Sequence, residues 1–184
     1  MRLTLAAPAA LAALSLAPAS AFAIDYLSPD QAARLMFPDA ERFEPREWTL
    51  DAAQMRKLDE QGIRARSARW SARLALRGPS VLGAVVVDEV IGKFELITYA
   101  VGIASDGAIR QVEVLSYRES HGHEIRLPAW RRQFVGKTGA APLRVGEDIA
   151  NISGATLSCN HVTDGVKRIV AVVDLARRSG LLVP

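Results

Sequence analysis

The chain has 184 residues, with 23 lysines and arginines against 20 aspartates and glutamates, three histidines and one cysteine. The basic residues are dispersed, with no dense stripe, which argues against nucleic-acid binding. Cys159 has no partner, so there is neither an internal disulfide nor a cysteine-based metal centre, and the core must hold by packing alone.

Met1 and Arg2 make a short positive start, Leu3 to Leu16 is almost wholly apolar, and "APASAFA" ends in Ala21-Phe22-Ala23. This is the layout of a secretory signal with a small-x-small cleavage site. The run is also nearly long enough to cross a bilayer as an uncleaved anchor; Pro8, Pro18 and the cleavage signature favour the signal peptide. Residues 1–23 are therefore expected to be removed after Ala23, leaving the mature protein in the periplasm with room for peripheral membrane association. Without Arg2 the balance is 22 basic to 20 acidic residues, a charge of about +2 on one ordinary domain.

"SPDQAARLMF" predicts a short helix capped by Ser28, with Pro29 in the first turn and Gln31 completing a capping box. "TLDAAQMRKLDEQG" predicts a second, starting at Thr49 or Asp51 and stopped by Gly62. From Ala68 the period becomes two: Ala68, Trp70, Ala72, Leu74 and Leu76 alternate with polar residues, a half-buried strand broken by Gly78-Pro79. "GAVVVDEVIG", "ELITYAVGIA" and "AIRQVEVLSY" predict three more strands, the last two joined through a Ser105-Asp106-Gly107 turn. "PAWRRQF" predicts a short helix beginning at Pro128. Val162, Val166, Ile169, Val170 and Val173 fall at helical spacing and predict a long C-terminal helix, beginning near Ser158 and ending near Gly180. The fold class is α+β: one domain, an antiparallel sheet covered by helices.

"NISGATLSC", residues 151–159, is the segment with chemistry. Ser153, Gly154 and Ala155 offer almost no side-chain bulk, so a ligand can approach the backbone closely. The helix start that follows has unpaired amides and a dipole that favours an anion, phosphate being the usual occupant. The hydroxyl of Thr156 offers a hydrogen bond or a point of covalent attachment. An ordinary turn with Ser158 as N-cap is the competing reading.

"SGAT" followed by a hydroxyl residue and a helix resembles the flavinylation motif of the FMN-binding domain family, which includes the C subunit of sodium-translocating NADH:quinone reductase and the G subunit of Rnf complexes. "PAWRRQFVGK" resembles that family's stretch of tryptophan, phenylalanine and Gly-Lys, here Trp130, Phe134, Gly136 and Lys137. "VLSYRESHG" resembles its flavin-lining strand end and turn, with Glu119 and Gly122 in the matching places. The resemblance covers roughly residues 83–175. It implies that a flavin transferase takes FMN from FAD and joins it to Thr156 by a phosphoester bond. It further implies that Ser153, Gly154, Ala155, Ser158, Glu119, Gly122 and Lys137 contribute to the FMN site. On this reading residues 24–80 form an N-terminal helical and first-strand region and residues 81–178 the FMN-binding domain. Better-known members carry an acidic residue six positions before the acceptor, where this chain has Ala150, flanked by Asp148 and Asn151.

His121 and His123, with Glu119 or Glu124 and the more distant His161, invite a metal reading, but their spacing does not supply a defined ligand set and a polar pocket rim is preferred. Cys159 lacks the second thiol of a redox couple and is expected to pack inertly. The implied function is an exported covalent flavoprotein, an electron carrier rather than a self-contained enzyme, served by a flavin transferase and a membrane or periplasmic redox partner. No structural metal is expected. A non-redox binding or assembly module without flavin is the alternative, and a flavin-dependent reductase ranks third because no nicotinamide-binding fingerprint is present.

Overall fold

The computed structural model describes residues 24–119 and 122–182. The expected signal peptide and His121 lie outside the described residues.

Local capping sets the two N-terminal helices. After the short strand β1 (Ile24–Asp25), helix α1 (Pro29–Met36) begins with the expected capping box: the Gln31 amide donates to the Ser28 hydroxyl (3.2 Å) and the Ser28 amide to the Gln31 side chain (2.8 Å). Strand β2 (Arg42–Thr49) follows, an element that the sequence reading passed over. Helix α2 (Ala52–Glu60) is capped by Asp51, not Thr49, through a second box with Gln54 at 2.8 and 2.9 Å.

The remaining strands are β3 (Arg69–Arg77), β4 (Ser80–Ile91), β5 (Leu96–Ala104) and β6 (Ile109–Tyr117). All neighbours are antiparallel, in the order β1-β6-β5-β4-β3-β2. Pro45 is tolerated in β2 because that strand is the sheet's edge. Since β2 and β3 extend the sheet begun by β4 to β6, the N-terminal region and the rest of the chain share one sheet.

Helix α4 (Thr156–Arg178) covers one face of the sheet. Its Val162, Val166, Ile169, Val170 and Val173 are all buried against Leu74, Val86, Ile97, Val101 and their neighbours. At about 1.5–3 kcal/mol for each aliphatic side chain, these five contribute on the order of 10 kcal/mol before entropy. On the other face Ala32, Ala33 and Met36 of α1, with Phe37 at its C-cap, pack on Ala75, Val85, Ala100 and Leu115. Burial from both sides explains why β4 and β5 are near-continuous β-branched runs, while β3 alternates over much of its length.

The segment after β6 folds as a 3₁₀ turn (His123–Arg126), helix α3 (Pro128–Arg131) and a second 3₁₀ turn (Arg132–Phe134). It closes the edge of β6 that the short β1 leaves open. Arg131 donates to the carbonyl of Val112 at 2.9 Å and pairs with the buried carboxylate of Glu113. Among the described residues no helix is long and apolar enough to cross a membrane.

Candidate functional site

The expected start of the last helix moves by two residues: α4 begins at Thr156, so the threonine stands in its first turn and not before it. Gly154 adopts a left-handed φ of +85° with open space around its Cα, and turns the chain into the helix. Ala155 is the N-cap and no side chain caps from it, whereas α1 and α2 both carry full capping boxes. Among the described residues no side-chain cap bonds the first-turn amides of this helix, which start at an exposed threonine, an arrangement that favours an anion there.

The preceding loop is held in place. Trp130 Nε1 donates to the carbonyl of Ala150 at 2.8 Å, and the amide of Ala150 donates to Gln133 Oε1 at 2.8 Å. Trp130 and Phe134 are themselves buried and meet edge to face with centroids 5.1 Å apart. One residue further, Asn151 Nδ2 donates to Thr156 Oγ1 at 3.1 Å. From the other side Gly122 presses on the loop. Its φ is +83°, and a Cβ there would lie 2.7 Å from the Tyr117 hydroxyl and 3.0 Å from Ala155 Cβ, so the close approach requires glycine.

Glu119 organises the hairpin between β4 and β5. Its Oε1 accepts from the amides of Phe94 (2.5 Å) and Glu95 (3.0 Å). Burial alone would raise its pKa, but the amides of Glu95, Phe94 and Lys93 together with the Lys93 ammonium outweigh it and hold the carboxyl below its ordinary range. This brings Lys93 and Phe94 opposite the start of α4. The Lys93 ammonium sits 4.9 Å from the centre of the Phe94 ring, which is 74% exposed.

Between the hairpin and the helix lies a recess of about 440 Å³ lined by Lys93, Phe94, Glu119 and residues 154–158, within the ordinary size range of ligand pockets. It combines an open helix terminus, one ammonium group, and apolar surface from Phe94 and the half-exposed Leu157. Lys93 and Phe94 went unnoticed in the sequence; the only available signal was a basic-aromatic pair in a "GKFE" turn.

The predicted residues divide clearly. Gly154, Ala155, Thr156, Ser158 and Glu119 line the recess, Gly122 packs behind it, and Ser153 lies exposed in the same turn. Ser158 is not an N-cap: it is buried in the first turn with its hydroxyl 3.4 Å from that of Tyr117. Lys137 is not brought to the recess. It lies beside Ile109 at the start of β6, whereas Glu119 follows the strand's other end at Tyr117, about 26 Å further along at about 3.3 Å per residue. There its ammonium pairs with Asp148 at 3.0 Å. Cys159 is fully buried, and burial pushes its thiol pKa up, the reverse of an activated thiolate. His161 Nδ1 lies 2.5 Å from the carbonyl of Ile91 and ties α4 to the end of β4. Among the described residues no group of histidine, cysteine and carboxylate side chains is arranged to hold a metal.

Residues 92–171 match the family model described as FMN-binding domain, and every residue lining the recess falls inside that span. The fold is similar to that of NqrC from Shewanella oneidensis, with a TM-score of 0.55 and 16% identity over 80% of this chain and 87% of that one. No curated protein matches the sequence significantly. Residues 92–171 are therefore similar to the FMN-binding domain family, and this match supports a flavin-binding module there.

Proposed function

We propose that the protein is an exported electron carrier whose FMN is joined to Thr156 by a phosphoester bond. The observation that carries this reading is the exposed Thr156 hydroxyl at the uncapped start of α4, on the rim of a recess with an ammonium and an exposed aromatic ring. The residues suit the group. The open amides of α4 and Lys93 compensate the charge of a phosphodiester, and Phe94 and Leu157 offer apolar surface to a planar ring.

FMN, once bound, supplies the redox chemistry, accepting and releasing one or two electrons. The chain's own residues position it. Glu119 sets the hairpin that presents Lys93 and Phe94, while Gly122 and Trp130 set the loop that presents Thr156. A tether keeps the cofactor on the protein in a compartment where loss is hard to reverse, which fits an open recess better than a deep one. A flavin transferase is the maturation partner, and a membrane or periplasmic redox protein the partner in turnover.

A flavin-free assembly module is the second reading, favoured by the methyl group of Ala150 where related proteins carry an acid. The test is intact mass and in-gel flavin fluorescence after co-expression with a flavin transferase in an exporting host. Wild type is expected to gain one FMN and lose residues 1–23, and Thr156→Val to gain none. An unmodified wild type beside a modified control substrate would leave the assembly module as the better account.

A further inference from the structure

The loop before the acceptor holds two polar side chains that could serve Thr156, Asp148 and Asn151, and the structure separates their roles. Asp148 is engaged by its own turn and by Lys137. Oδ1 accepts from the amide of Arg144 at 2.8 Å, while Oδ2 accepts from the amide of Leu143 at 3.2 Å and pairs with the Lys137 ammonium at 3.0 Å. It organises the loop and makes no bond to Thr156. Asn151 is exposed, and its amide donates directly to Thr156 Oγ1 at 3.1 Å. The backbone that carries Asn151 is fixed one residue earlier, where Trp130 and Gln133 hold both polar groups of Ala150.

We infer that Asn151 is the positioning residue for flavin attachment in this chain, orienting the Thr156 hydroxyl for attack on FAD; this rests on the flavinylation proposed above. A threonine hydroxyl has two lone pairs and one proton. With one lone pair occupied by Asn151 Nδ2, rotation of the hydroxyl-bearing group is restricted. The second lone pair and the proton are left for the incoming substrate. In the transfer, Thr156 Oγ forms a bond to the phosphorus of the FMN half of FAD and the pyrophosphate P–O bond breaks, so AMP leaves. The hydroxyl proton passes to a base of the flavin transferase, because an asparagine amide cannot accept it. No electron changes hands. Asn151 never touches the reacting phosphorus; it acts through Thr156, as alignment of a nucleophile requires.

The experiment uses the flavin-free mature chain, purified flavin transferase and FAD, with FMN incorporation followed by intact mass against time. Wild type, Asn151→Ala and Thr156→Val are compared, and thermal melts establish that each is folded. Asn151→Ala is expected to lower kcat for modification about tenfold, the worth of one hydrogen bond in the transition state, with KM for the acceptor chain within about twofold. Thr156→Val takes no FMN. Asn151→Ala modified at the wild-type rate overturns the inference while leaving Thr156 as the acceptor. A raised KM with kcat unchanged also overturns it, making Asn151 a docking contact for the transferase. A wild-type chain that takes no FMN, beside a modified control substrate, overturns both the inference and the reading on which it rests.

Discussion

Gly165 lies in the middle of α4, where alanine is ordinarily preferred to glycine by about 1 kcal/mol. Gly165→Ala should nevertheless destabilise the protein. A Cβ there would stand 2.0 Å from the Tyr99 hydroxyl oxygen, 2.8 Å from its Cζ and 3.2 Å from Val90 Cγ1. Tyr99 is fully buried, and its hydroxyl donates to Asp88 Oδ2 at 3.1 Å, the oxygen that also accepts from Arg168 Nη2 at 2.6 Å. Burial first, and the neighbouring Asp88 carboxylate next, hold the Tyr99 pKa far above its ordinary value, so the phenol remains a donor. Making room for the methyl group costs about 1–3 kcal/mol in overpacking. Losing the bond to the carboxylate costs about 1.5–3 kcal/mol more. Set against the helix-propensity gain, the net loss is about 1.5–5 kcal/mol, a fall in Tm of roughly 3–20 °C for a domain of this size. Thermal unfolding by circular dichroism measures it. Tyr99→Phe deletes the atom that would lie closest to the new methyl, so the double variant should be more stable than the sum of the singles by about 1 kcal/mol or more. A Gly165→Ala protein that melts at or above wild type would refute the claim that Tyr99 fixes the seating of α4 on the sheet. So would strict additivity in the double variant.

Glu119→Gln should flatten the acid limb of the stability curve. The folded pKa of Glu119 is depressed below its ordinary 4.5, so its stabilisation is complete above that value and is lost as pH falls through the folded pKa. Between about pH 6 and 3 the wild-type Tm should therefore fall more than that of the variant, and parallel curves would show that the carboxylate does not anchor the hairpin. Asp148 and Asp174 are also depressed, but they titrate in both proteins and cancel in the comparison. Trp130→Phe removes the 2.8 Å bond to Ala150 while retaining an aromatic ring near Phe134. It should cost about 1 kcal/mol in denaturant unfolding and slow FMN incorporation; an unchanged incorporation rate would mean that Gln133 alone positions the loop.

What could be read from the sequence was whatever repeats or sits contiguously along the chain. The alternation of β3 and the helical spacing of Val162 to Val173 follow directly from burial, because packing against a common core selects one residue in two or about one in 3.6. Strand β2 gave no such signal. Only Trp48 in it is fully buried, and an edge strand can carry Pro45 and four charged residues without loss. The site divides in the same way. Gly154, Ala155 and Thr156 are adjacent, so one motif contains them. Lys93 and Phe94 lie far from Thr156 in sequence, and reach it only because β4 and β5 turn at the end of the sheet where α4 begins. His161 secures that junction at Ile91, and Glu119 shapes its turn from 24 and 25 residues away. Lys137 shows the converse. Linear order set it near the acceptor motif, but β6 runs between it and the recess, and Asp148 takes its charge locally. A motif can therefore name the proposed acceptor, while the surfaces that would meet a ring held there depend on strand order. For the same reason, changes to the β4–β5 hairpin should act on how the flavin is held, and changes to residues 150–156 on whether it is attached.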